Sequence, residues 1–154
     1  MFMIAPSCAT RCGSQDPRSG SIGELFSAAI KARLSAYAPY SGFAVGAAVR
    51  TDSGAIFSGA NVENAAFPVG ICAEAAAIAA MVAAGERRIA EILIVAEGDA
   101  LVTPCGACRQ RIHEFAEADA KIYVAGIMGV RAIFTQGTLL PAAFGRSMTK
   151  AAKS

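Results

Sequence analysis

"GICAEAAAIAAMVAAGERRIAEILIVAEG", residues 70–98, is the stretch whose reading decides the fold. Its first half is a run of alanines and larger apolar residues closed by Gly85, the composition of a buried helix with a glycine just past its end. Its second half, "EILIVAEG" from Glu91, is a short apolar run rich in branched residues, which is how a strand covered on both faces reads. A buried helix feeding a buried strand points to an α/β protein. One carboxylate, Glu74, stands inside the otherwise uncharged residues 70–85, two residues after Cys72.

Upstream, Ser21 and Glu24 form an S-x-x-E capping box, and Ile22, Leu25, Phe26, Ala29, Ile30, Leu34 and Tyr37 recur at helical spacing. A first helix is predicted there, ended by "YAPYSG" with Pro39 and Gly42. "FAVGAAV" and "AIFSGANV" flank "RTDSG", whose Asp52, Ser53 and Gly54 are turn residues, so a hairpin follows. Downstream, a helix is predicted to start near Pro104 and to run through "CRQRIHEFAEA". Strands at "KIYVAG" and "VRAIFT" come next, and a last helical turn near "TLLPAAFG". The order α-β-β-α-β-α-β-β-α predicts a three-layer α/β sandwich, a mixed central β-sheet covered by helices. Residues 1–20 lack periodicity and read as a flexible N-terminal tail, leaving 21–154 as a single domain.

Composition limits the function classes. Apolar residues make up 55% of the 154 and charged ones 17%, an apolar balance that suggests surface buried against other subunits. The longest uncharged apolar run, Ala75 to Ala84, is far short of the ~20 residues that span a bilayer, so no membrane helix is expected. The amino terminus has no cationic start followed by an apolar segment, which makes the cytoplasm the expected location. A net charge of +2 comes from scattered Lys and Arg without interleaved aromatics, so nucleic acid is not an expected partner and a small molecule is.

Five cysteines in a reducing compartment read as thiols, metal ligands or catalytic groups rather than as a disulfide framework. Cys8 and Cys12 lie in the tail and read as plain exposed thiols. Cys72, Cys105 and Cys108 instead fall at predicted helix starts, where unpaired N–H groups favour the thiolate that binds zinc. Three thiolates make a zinc site with a fourth position open to water, the arrangement of a catalytic rather than a structural metal. The lone histidine, His113, sits inside a predicted helix and is read as solvated. Beside such a site, Glu74 can take a proton from water and deliver it to a substrate; without the metal it is a carboxylate favouring a helix start.

"CAE" followed by "PCGACRQ" resembles the zinc-dependent nucleoside and nucleobase deaminases, whose metal-activated hydroxide and shuttling Glu form a known pattern. "YAPYSGFAVGAAV", "GANVENAAFPVGICAE" and "LLPAAFG" extend the likeness to the small homotetrameric cytidine deaminases, over about residues 21 to 145. The resemblance implies one zinc per subunit on Cys72, Cys105 and Cys108, with Glu74 as proton shuttle. It also implies a nucleoside pocket of Phe43, Asn61, Glu63, Phe67 and Ala73, in which Asn61 and Glu63 hold the ribose hydroxyl. Phe144 matches an aromatic that reaches a neighbouring subunit's site, consistent with a homotetramer. The implied reaction is hydrolytic deamination of cytidine and 2′-deoxycytidine to the uridines, in pyrimidine salvage. Another cytosine-bearing nucleoside or antibiotic as substrate, or a noncatalytic zinc module with a fourth protein ligand, are the alternatives. One departure is Ala75, where the family usually has an Arg near the thiolates; the two helix starts, with Arg109, are expected to offset the missing charge.

Overall fold

The computed structural model describes residues 20–145 and 148–149, so residues 1–19, with Cys8 and Cys12, lie outside the described residues. The elements are α1 (Ile22–Arg33), β1 (Val45–Thr51), β2 (Ile56–Ala60), α2 (Ala73–Ala83), β3 (Ile89–Ala96), α3 (Gly106–Phe115), β4 (Ala116–Gly126), β5 (Gly129–Thr135) and α4 (Gln136–Leu139), with a 3-10 turn at Phe67–Val69. The helix and strand order is the one the sequence predicts.

The strands form one sheet in the order β2-β1-β3-β4-β5. Only β3 and β4 are parallel, and α3 is the crossover that parallel neighbours require. Alternation along the strands splits the core in two. Ala47, Val49, Ile92, Ile94 and Ile122 face α2 and α3, packing on Ala77, Ile78, Met81 and Ile112. Ala48, Leu93, Val95, Tyr123 and Ala125 face the other way, onto Leu25 and Ala29 of α1. The result is the three-layer α/β sandwich.

Two glycines set how closely the helices approach the hairpin. A Cβ on Gly46 would overlap the Ala29 carbonyl of α1, and one on Gly59 would overlap the Ala77 nitrogen of α2. Both helices therefore lie directly on the backbone of β1 and β2. Among the described residues no helix is long and apolar enough to cross a membrane.

Three local expectations are corrected. The first helix stops at Arg33, not near Tyr37: Leu34 is 77% exposed, and Tyr37 leaves the helix to bridge Val62. The capping box is half formed, because Ser21 Oγ accepts from the Gly23 N–H while the Glu24 carboxylate turns to Arg50, 3.4 Å away. The third helix ends at Phe115, and residues 116–118 of "EFAEA" belong to β4, where pairing beside β3 outweighs their helical propensity.

Candidate active site

The site forms at one edge of the sheet, where β1 begins and β3 ends, since Val45 pairs with Ala96. Both helices on that face start at this edge. Cys72 is the N-cap of α2 and Cys105 the N-cap of α3, each with its carbonyl accepting the first helical bond, from Ala76 and Arg109. Cys108 follows in the first turn of α3 and is fully buried. Three thiols are thus gathered at two converging helix N-termini, where the dipoles favour their anions.

Their sulfurs lie within 4.8 Å of one another, with Cys72 Sγ and Cys105 Sγ 4.0 Å apart. A tetrahedral zinc about 2.3 Å from each sulfur needs them roughly 3.8 Å apart, so the triad fits that ion. No fourth Cys, His, Asp or Glu ligand atom joins the group among the described residues, which departs from a closed structural zinc. His113 lies elsewhere, beside Gly145 in a crevice with Arg87 and Glu114. The electrostatics of the three thiols suit a cation held among them. Burial pushes the Cys72 and Cys108 thiols up, and Cys105 and Glu74 push both further, while the hydrogen bond with Cys108 partly offsets the rise at Cys72. Cys105, although burial opposes it, is held below the ordinary thiol value by the Cys108 backbone N–H and by the other two thiols. A dication among these groups would relieve their mutual repulsion.

Glu74 sits in the first turn of α2, one residue inside Ala73, and is 5% exposed. Burial raises its pKa, only partly offset by its own backbone N–H, the Cys108 thiol and the charge of Arg111. Among the described residues its carboxylate makes no ion pair. A buried carboxyl biased toward its protonated form can hold a proton and give it up at neutral pH.

A cavity of about 250 Å³ opens on this group, lined by Cys72, Ala73, Glu74 and Cys105 together with Phe43, Asn61, Ile94 and Thr103. A second cavity, of about 540 Å³, shares Asn61 and Cys72 with it and adds Glu63, Phe67, Tyr40 and Ser41. Of the expected pocket residues, Phe43, Asn61 and Ala73 therefore border the cysteines and Glu74 directly. Glu63 and Phe67 lie in the adjoining space, where the Phe67 ring meets Tyr40 edge to face, centroids 6.0 Å apart. Phe144 lines neither cavity; it is 63% exposed, and its carbonyl accepts from Gln110 of α3.

The side chain of Asn61 is already engaged with backbone. Its Nδ2 donates to the Phe43 carbonyl at 2.9 Å and its Oδ1 accepts from the Val45 N–H at 2.8 Å, so it pins the entry to β1 as a strand partner would. The expected role of Arg109 is not supported. Its guanidinium donates to the Pro104 and Leu139 carbonyls and to Thr103 Oγ1, and none of these bonds reaches a sulfur. The helix starts are the groups left to balance the thiolates in place of the absent arginine. Tyr40, Ser41 and Thr103 were not singled out from sequence; the first two stand inside "YAPYSG", where a turn signal masked their place in the pocket.

Comparison with known proteins follows the same lines. The sequence profile of the family described as the cytidine and deoxycytidylate deaminase zinc-binding region matches residues 21–125. The cytidine deaminase of Halalkalibacterium halodurans is 42% identical over 120 residues, covering 78% of this chain and 91% of that protein. That of Sporosarcina psychrophila is 39% identical over 125 residues, 81% of this chain and 92% of the relative. Among solved structures, the cytidine deaminase of Burkholderia pseudomallei superposes with a TM-score of 0.76 at 41% identity, covering 81% of this chain and all of that one.

Proposed function

Because the chain belongs to the cytidine and deoxycytidylate deaminase family, whose zinc-binding region it carries over residues 21–125, we infer that it is a cytidine deaminase. It replaces the exocyclic amine of cytidine, and of 2′-deoxycytidine, by water with release of ammonia. The observation that carries this reading is Glu74: a carboxyl 5% exposed, without an ion pair among the described residues, on the wall of the cavity that Cys72 and Cys105 of the zinc-compatible triad also line.

Cys72, Cys105 and Cys108 would hold the zinc. When bound, the ion supplies Lewis acidity that makes a water nucleophilic near neutral pH, a pKa change from about 16 to near 7. The chain supplies the proton traffic and the positioning. Glu74 accepts one proton of the attacking water and gives it to N3 of the base, then accepts the second proton from the added hydroxyl and gives it to the departing amine, a role its raised pKa suits. Phe43, Ala73 and Ile94 present apolar surface to the base and keep water from the cavity. Glu63 and Asn61 stand on the sugar side, where Glu63 offers an anionic acceptor to a ribose hydroxyl.

The lining also favours a nucleoside over a nucleotide. Neither cavity is bordered by a Lys, Arg or His, and each carries one carboxylate, Glu74 or Glu63. A phosphate brought here would meet like charge and find no guanidinium or ammonium partner. Cytidine should be turned over and cytidine monophosphate left intact.

We also propose that the chain works as a homotetramer, as the resemblance implies. Leu34, Phe67, Val69 and Phe144 are apolar and more than half exposed, a surface suited to subunit contacts, and sedimentation of the pure protein tests it. The test of the activity is ammonia release from cytidine by the native protein and by Glu74→Gln, with zinc measured in both. Loss of turnover with zinc retained is the expected result; equal rates would reject the role given to Glu74.

A further inference from the structure

We propose that Ser41 is a positioning residue of the nucleoside pocket, aiming the one acceptor lone pair that Glu63 has left for a sugar hydroxyl. The inference rests on the reading of Glu63 as that acceptor and goes beyond it. Loop 37–43 is first tied to the segment after β2 by backbone bonds: Tyr37 N–H donates to the Asn61 carbonyl at 3.0 Å, and Glu63 N–H to the Tyr37 carbonyl at 2.8 Å. Gly42, at φ +67°, then turns the loop in a conformation that favours glycine, and its N–H donates back to the Ala38 carbonyl at 3.0 Å. This turn brings three donors onto one carboxylate. Glu63 Oε2 accepts the Tyr40 N–H at 2.9 Å and the Ser41 N–H at 3.2 Å, and Oε1 accepts the Ser41 hydroxyl.

An ionised carboxylate has about four acceptor positions, two on each oxygen. Oε2 is filled by the two backbone N–H groups, and one position on Oε1 is filled by Ser41. A single position remains, on Oε1. Ser41 cannot itself offer a proton to a ligand, because its only hydroxyl hydrogen is spent on Glu63 while its oxygen accepts the Phe43 N–H at 3.0 Å. Ser41 thus acts through Glu63, and it links the sugar side of the pocket to Phe43 on the base side. The same bonds hold the Glu63 carboxyl below its ordinary pKa, with the Ser41 hydroxyl the largest cause, so that it stays an acceptor.

The test compares KM and kcat for cytidine, 2′-deoxycytidine and 3′-deoxycytidine in Ser41→Ala, Ser41→Thr, Glu63→Ala and the Ser41→Ala/Glu63→Ala double variant. Thermal midpoints serve as the folding check. Ser41→Ala should raise KM for cytidine about tenfold, the scale of a lost hydrogen bond to a charged group, with kcat within about twofold. The increase should shrink to under about twofold in the Glu63→Ala background, and also for the deoxy analogue that lacks the hydroxyl Glu63 takes. Ser41→Thr, which keeps the hydroxyl, should restore KM to within about threefold. If Glu63→Ala raises KM while Ser41→Ala does not, or if Ser41→Ala has the same effect with and without Glu63, the positioning role is overturned and the acceptor role of Glu63 stands. If Glu63→Ala leaves KM unchanged, the acceptor role fails and takes this inference with it.

Discussion

The two faces of the sheet each bury a glutamate, and they treat it in opposite ways. Under α1, Glu91 is 9% exposed; it accepts from Arg50 Nε at 2.9 Å and from the Tyr123 hydroxyl at 3.0 Å. Arg50 in turn donates to the Ser21 carbonyl and reaches Glu24, so the buried charge fastens the start of α1 to the sheet. On the α2 face, Glu74 is equally buried but has no ion pair among the described residues, and three thiols crowd beside it. Desolvation burdens both carboxylates. Glu91 has a paired cation and a hydroxyl for its charge, whereas Glu74 has only its own backbone N–H, the Cys108 thiol and the charge of Arg111, which suits the proton carrier proposed above.

The contrast breaks most visibly at Glu74. Glu74→Gln should lower kcat by roughly 10²- to 10⁴-fold, the range of general acid–base help, while its thermal midpoint stays level or rises because an amide buries no charge. A variant with native turnover, or one that lost activity only by unfolding, would place Glu74 with Glu91 as a structural carboxylate.

Arg50 is the next test. Arg50→Met leaves Glu91 buried without its cation, and removal of one partner of a buried pair costs about 3–5 kcal/mol, measurable by urea denaturation. Arg50→Met with Glu91→Leu should recover most of that loss, since an apolar pair is often as stable as the ion pair it replaces. The folded double variant should deaminate cytidine at close to the native rate, because the network lies across the sheet from the cysteines. Failure of the double variant to recover would mean that the ion pair contributes more than its own neutralisation.

This difference between the faces was only half legible in the sequence. The element order could be read because periodicity, Gly85 and Pro104 are local signals, and Cys72, Cys105 and Cys108 could be read because thiols at helix starts carry their own chemistry. Glu74 stood out as a charge in an apolar stretch. Arg50 did not. It opens "RTDSG", where a charged residue beside a turn reads as solvated, and its partners Glu24, Glu91 and Tyr123 come together only through pairing of β1, β3 and β4. The same long-range competition undid the capping box, since Glu24 is drawn to Arg50 instead of to the helix start. The start of β4 was likewise hidden, because "EFAEA" continues a helical pattern and only the neighbouring strand makes it extended. Ser41 shows the limit for pockets: a turn residue by type, it gains a task only when a carboxylate from another segment folds over it.

The smallest expected effect separates the faces by pH. Burial, followed by the hydrogen bond to Glu91 and that carboxylate's charge, pushes the Tyr123 hydroxyl up to about 12, against about 10 for an unfolded tyrosine. Since the folded value is the higher one, the stability it contributes is fully present below about pH 10 and is lost as pH rises through about 12. Tyr123→Phe should cost about 1–2 kcal/mol at pH 8, the worth of one buried hydrogen bond. That deficit should narrow between about pH 10 and 12, because only the native protein must ionise the buried hydroxyl or unfold. Denaturation curves at several alkaline pH values would show it; parallel losses in both proteins would mean that Tyr123 is not a titrating member of the network. At neutral pH the variant's deamination rate should match the native one, since Tyr123 and Glu91 lie on the α1 face and the proton transfer proposed for Glu74 lies on the α2 face.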